Sequence, residues 1–312
     1  MARTSSRRSR LFSLLRAMLG ALAAGTALCG GAQPPAPEPN AAQLAALVFP
    51  GWSDTHGGRL RTVTLPADAH AARNGWHAGS ARVLVEPALV LRTDASHLTL
   101  IAQLVPAGDD GKPAVSHMTP VGVAAYQFAR AGDRWQVAGR QGMFAWRGFF
   151  GEARLQAVML GAAAARPRQA VGIEYGSCWE GYCGSWIALY ELDNNVVRRE
   201  PALETALSGN NLDGAADCVR RLQPMIKTRQ QDASVHDDGS APDTHDCYLV
   251  DSTWRIDGGR DLPGDFTIRY QGAISRADGH AAPPAAIDQR QVLRYEHGKY
   301  RAVSGFNPVP PI

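Results

Sequence analysis

Hydrophobic and polar positions change their spacing twice along this chain. Over the first 32 residues, Arg3, Arg7, Arg8, Arg10 and Arg16 precede a short apolar run, AMLGALAAGTAL, which ends near the small residues Gly30-Gly31-Ala32. Basic, apolar and small segments in that order are those of an export signal, and the run is too short to span a bilayer. A proline-rich spacer, QPPAPEPN at 33–40, lacks many of the amides that a strand ladder needs. At 41–48, AAQLAALV places Leu44, Leu47 and Val48 on one helical face before Pro50-Gly51, which predicts one short helix.

From Leu60 onward the spacing favours strands. Residues 60–65, 82–86, 89–93 and 97–105 are short runs rich in Val, Leu and Thr, bounded by Gly, Pro, Asp or Asn. A pattern of β-branched residue, two spacers, Tyr and then Gln or Glu recurs at Val123 to Gln127, Ile187 to Glu191, Thr267 to Gln271 and Val292 to Glu296. In three of the four, turn residues at 131–133, 193–195 and 297–299 lead into a returning strand, the signature of a hairpin. The tyrosines are unevenly spaced, so no fixed repeat is present. Further strands are predicted at 154–160, 169–175 and 246–250, and helices at 201–207 (PALETAL) and 212–222. Residues 230–245 read as a polar loop.

These elements predict a mainly β protein of antiparallel, hairpin-built sheets, a sandwich or an irregular propeller-like form, with one to three short helices. The expected organisation is a signal at 1–32, a spacer at 33–40 and one β-rich body at 41–312. Any sub-domain boundary would fall near 200–245.

The five leader arginines are part of a total of 32 Lys+Arg, so the rest of the chain carries 27 basic against 29 acidic side chains. With that balance and no block of Lys or Arg, the chain lacks the footprint of a nucleic-acid binder. Cys29 lies in the signal, whereas Cys178, Cys183, Cys218 and Cys247 form an even set in the body. In an oxidising compartment such a set reads as disulfides. Three pairings are open; Cys178 with Cys183 and Cys218 with Cys247 is the expected one. The expected location is the periplasm, with an outer-membrane lipoprotein or a secreted protein as alternatives. Lipidation at Cys29 is disfavoured because Leu28 stands where a small residue is wanted. No transmembrane helix is expected in the mature chain.

Catalytic signatures are missing: there is no GxSxG elbow, HExxH pair, CxxC or glycine-rich phosphate loop. No cofactor is expected, and a binding or structural role is favoured over an enzymatic one. The densest candidate is SCWEGYCGSW at 177–186, where a disulfide would hold Trp179 and Tyr182 on a small loop with Trp186 beside it. Rigid aromatics make good anchors for an envelope protein or a glycan. Trp146, in WRGFFGE at 146–152, begins either a second aromatic patch or a bulged connection whose rings go inside. The alternative is an envelope hydrolase of glycan or peptide. It would use paired carboxylates among Glu152, Glu174 and Glu180, or a metal held by His236 and His245 in the His/Asp loop at 236–246. Asn210, Asn211 and Asp213 resemble a calcium loop only loosely, and residues 52–56 read as a turn.

Overall fold

A computed structural model describes residues 38–66, 78–161, 168–214, 217–225, 246–257, 263–277 and 283–311. Pro37–Ile312 cluster as one compact unit. It opens with helix α1, Ala41–Val48, started by a capping box: the Asn40 side chain accepts from the Gln43 amide, and the Gln43 side chain accepts from the Asn40 amide. Leu44, Ala45 and Val48 form its buried face, and Leu47 points outward. Just beyond, Trp52 is buried and donates its indole N–H to the Val85 carbonyl at 3.2 Å. A single turn, α2 (His56–Arg59), is capped by Thr55.

Five antiparallel strands follow in sequence order: β1 (Leu60–Leu65), β2 (Gly79–Asp94), β3 (His97–Pro106), β4 (Val121–Ala131) and β5 (Arg134–Arg147). The second sheet contains β6 (Arg154–Gly161), β7 (Arg168–Trp179), β8 (Tyr182–Asp193), β9 (Val196–Val197), β10 (Leu203–Asn210), β11 (Cys247–Asp257), β12 (Asp265–Ser275), β13 (Ala285–Glu296) and β14 (Lys299–Ser304). Its order is β14-β13-β12-β11-β10-β8-β7-β6, with β9 paired to β8. Between β10 and β11 lies the short helix α3, Cys218–Leu222.

Local turn chemistry sets the hairpins. Glu180-Gly181, Asn194-Asn195 and His297-Gly298 all have positive φ at both central positions. That is the type I′ pattern, whose twist matches the flanking strands.

Three apolar layers hold the unit together. Leu44, Val48 and Trp52 pack on the outer face of the first sheet, with Val83, Leu100, Tyr126, Phe128 and Trp146. Between the sheets, Leu91, Ile101, Val123 and Phe144 meet Val171, Ile173, Ala188 and Tyr190. This is the face-to-face packing of a sandwich. The far side of the second sheet encloses Leu160, Ile187, Leu189, Phe266, Ile268, Tyr270 and Tyr300. That sheet curls into a half-barrel. Its edges are drawn together by bonds from the Tyr300 amide to the Ala202 carbonyl, the Tyr300 hydroxyl to the Gly264 carbonyl, and the Gly264 amide to the Leu160 carbonyl.

Several elements depart from the sequence reading. Residues 82–86 and 89–93 belong to one strand, β2, whose register shifts between Pro87 and Leu89; the bulge accommodates a residue with no amide to donate. PALETAL is not helical. Leu203 pairs with Leu189 and Thr205 with Ile187 along β8, and Leu203 and Leu207 are buried with the second sheet's core. Ladder bonds and burial override a helical propensity of a few tenths of a kcal/mol per residue. Of 212–222 only α3 is helical. The polar stretch 230–245 lies outside the described residues.

Both expected disulfides are present, Cys178–Cys183 at a sequence separation of 5 and Cys218–Cys247 at 29. The second is fully buried beside Leu212, Leu222 and Ala273. Among the described residues no helix is long and apolar enough to cross a membrane.

Candidate functional site

The β7–β8 hairpin projects beyond the inter-sheet core. Cys178 and Cys183 face each other across it, and Trp179 and Tyr182 flank its two-residue turn. Cross-strand neighbours this close to a type I′ turn have little backbone freedom, and the disulfide removes more. On one side the tip is seated on the turn at 211–214. A Cβ at Gly181 would collide with Asp213 and Gly214, and one at Gly214 would come within 2.9 Å of the Tyr182 ring. That turn is itself pinned by buried Asn211, which donates to the Asp246 carbonyl at 2.7 Å and accepts from the Tyr248 amide at 2.9 Å. Asn211 is therefore a structural clamp, and the loose calcium-loop resemblance finds no free amide oxygen there.

On the other side, two connections from the first sheet meet the hairpin. In the β5–β6 connection, Phe149 and Glu152 bond amide to carbonyl in both directions, and Phe150 and Gly151 between them take φ of 55° and 71°. This tight turn pushes Phe150 outward, to 52% exposure. The β3–β4 connection is tied to it by the Gly151 amide, which donates to the Thr119 carbonyl at 2.8 Å. It carries Val115, His117 and Met118. His117 stacks on Trp179 with ring centroids 4.5 Å apart and an interplanar angle of 16°, and its centroid is 6.3 Å from that of Phe150.

The result is a ledge in which Phe150, His117 and Trp179 stand in a row. Val115 and Met118 belong to the same connection as His117. Trp179 is 53% exposed, Met118 49% and Val115 39%. Singly exposed apolar side chains are ordinary, but a contiguous group drawn from three segments marks an interaction surface.

Behind the ledge, Tyr175 and Trp186 stack at 5.8 Å and Phe149 lies 6.3 and 6.2 Å from them. The Tyr175 hydroxyl donates to Glu204 Oε1 at 2.7 Å, and Arg147 Nη2 donates to Glu204 Oε2 at 2.8 Å. Burial, followed by that bond to Glu204, pushes the Tyr175 phenol well above its usual range, so it stays a donor. Arg147 also lies 5.7 Å from the Tyr190 ring centroid. This network fixes the base from which the hairpin projects.

The structure pairs exposed Trp179 with half-buried Tyr182 across the hairpin, and sets half-buried Trp186 apart from them, stacked on Tyr175 behind the ledge. Trp146 is placed elsewhere, 2% exposed in the core beneath α1. The sequence reading did not single out Val115, His117 and Met118. The available signal was an apolar pair inside a turn-rich stretch, KPAVSHMTP.

Glu152 and Glu174 line one cleft of about 500 Å³ with Glu86, Gln103 and Phe149, whereas Glu180 stands on the hairpin turn. Glu174 is already engaged, accepting from Gln156 at 2.7 Å and from the Trp254 indole at 3.1 Å, with Arg154 at 3.7 Å. A second polar cleft, of about 370 Å³, contains Arg168, Glu191, Asp193 and Arg198. Buried Glu191 there accepts from Tyr295 and lies 3.9 and 3.6 Å from the two guanidiniums. Asp94 and His97 also line this cleft, so three carboxylates face two guanidiniums and one imidazole. Among the described residues the one cluster of potential metal ligands is Asp217 with Cys218 and Cys247, whose sulfurs are tied in a disulfide. His236 and His245 lie outside the described residues.

Comparison of the chain with protein-family models, curated proteins and solved structures returns no match.

Proposed function

We propose that this chain is an exported, non-catalytic binding module of the cell envelope, and that the Phe150–His117–Trp179 ledge is where it contacts a partner protein. One observation carries this reading: Trp179 is more than half exposed and yet held rigidly, by a disulfide, a type I′ turn and a stacked imidazole. A ring already fixed loses little entropy on contact, while its burial contributes about 2 kcal/mol or more at a well-packed anchor. Phe150 supports the same conclusion, because a non-glycine residue at positive φ is strained and here the strain turns a ring to solvent. Val115 and Met118 make the surface aliphatic as well as aromatic, which suits a protein partner better than a sugar face.

The leader at 1–32 and the two disulfides support export to the periplasm. The hydrolase alternative is weaker, because Glu174 accepts two hydrogen bonds and pairs with Arg154, leaving it poorly placed as nucleophile or acid.

A photo-crosslinking residue at position 150, in protein expressed in its own envelope, tests the reading. A discrete crosslinked protein is expected, lost in the Trp179→Ala/Tyr182→Ala variant while its thermal midpoint stays within a few degrees. Equal crosslinking by the double variant would remove the ledge as the contact surface.

A further inference from the structure

We infer that the ledge is built to receive a cationic side chain, arginine above all, from that partner; this rests on the ledge being the contact surface. Elsewhere the described acids are almost all ion-paired, as in Asp54 with Arg59, Glu204 with Arg147, Asp265 with Arg294 and Asp288 with Arg269. Glu152, Glu180 and Asp213 are exposed and, among the described residues, make no ion pair and no side-chain hydrogen bond. Glu152 and Glu180 border the ledge, and Asp213 sits on the turn that seats the same hairpin from its other side. Glu152 closes the turn that presents Phe150, Glu180 follows Trp179 on the hairpin turn, and Asp213 touches that turn through Gly181. Away from the ledge and the turn that seats its hairpin, only Asp133, Asp251 and Glu296 share that lack of an ion-pair partner among the described residues.

Unneutralised carboxylates on the two segments that present the exposed rings, with a third on the turn beneath the hairpin, are an electrostatic mismatch with a purely apolar partner and a match for a guanidinium. His117 covers one face of the Trp179 indole and leaves ring surface open at 53% exposure. A planar cation can stack there, attracted by the ring quadrupole and by the negative charge of the neighbouring segments. The same charge pattern disfavours an acidic segment and speeds encounter with a basic one.

The probe is a capped tri-arginine peptide, compared with its tri-citrulline counterpart, which keeps the planar end group and loses the charge. Binding is followed by tryptophan fluorescence, with Trp179→Phe identifying the responding ring. Saturable quenching by the arginine peptide is expected, with affinity about tenfold weaker for the citrulline peptide and about tenfold weaker in Glu152→Gln/Glu180→Gln/Asp213→Asn. Raising ionic strength should weaken the arginine peptide alone. Equal binding of the two peptides, or an unchanged affinity in the folded carboxamide variant, would overturn the inference. Crosslinking at position 150 that persists undiminished in that variant would also overturn it while leaving the ledge as contact surface. Loss of crosslinking in Trp179→Ala together with the carboxamide variant supports both.

Discussion

Removing the two disulfides one at a time should have opposite consequences for stability and for binding. On the chain-entropy account, a cross-link restricts the unfolded state more as the loop it closes lengthens. For the sequence separation of 5 at Cys178–Cys183, that relation gives about 2 kcal/mol at 25 °C. For the separation of 29 at Cys218–Cys247 it gives about 3.6 kcal/mol. Burial widens the gap. Cys218 and Cys247 are fully buried beside Leu212 and Leu222, so trimming both to Ala also leaves a small void, whereas Cys178 is exposed at the hairpin tip. Denaturation in guanidinium chloride, followed by far-UV circular dichroism, should place Cys218→Ala/Cys247→Ala at least about 1.5 kcal/mol below Cys178→Ala/Cys183→Ala. Quenching by the arginine peptide should reverse the order: the tip variant loses affinity because Trp179 is no longer preorganised, and the staple variant keeps it. A tip variant as unstable as the staple variant would refute the loop-length argument. A tip variant with native affinity would show that the bridge does not hold the ledge.

Gly151→Ala combines a backbone at φ 71° with a methyl group 2.5 Å from Val115 Cγ1, so the two connections that form the ledge must separate. A loss of about 1–3 kcal/mol is expected, with loss of the ring contacts between His117 and Phe150 in NMR spectra; unchanged contacts would count against the coupling of these segments. The Asp94 carboxyl accepts from the Ser96 amide at 2.8 Å and from the His97 ring at 2.9 Å, and these bonds, the amide first, lower its pKa from 3.8 to about 2. Because the folded value is depressed, its stabilising contribution is present above the usual carboxylate range and fades as pH falls toward 2. A carboxyl titration by NMR should show a midpoint near 2, and Asp94→Asn should flatten the acid limb of stability; a midpoint near 4 would rule out both bonds in solution.

The parts of this fold that were legible in the chain are those whose physics is local. Asn194-Asn195 and His297-Gly298 announce their hairpins because asparagine and glycine tolerate positive φ, whereas Glu180-Gly181 carries a weaker signal and reads only as a small loop. Leu44, Leu47 and Val48, followed by Pro50-Gly51, announce α1 because face periodicity and a helix stop act within two turns. Cys178 and Cys183 were readable as partners because they close a short loop, and the structure sets them opposite each other on a hairpin. PALETAL was not readable: its helical composition yields to the edge of β8, which exists only after long-range pairing has formed. Trp146 and Trp179 look alike in sequence, yet one ends in the core beneath α1 and the other in solvent. What separates them is which sheet face each strand turns inward and whether a second layer covers it. The ledge follows the same rule. His117 and Phe150 come from two connections and Trp179 from the end of β7, segments that no periodicity links, and their arrangement depends on the two sheets packing face to face, which brings the ends of separate hairpins to one edge.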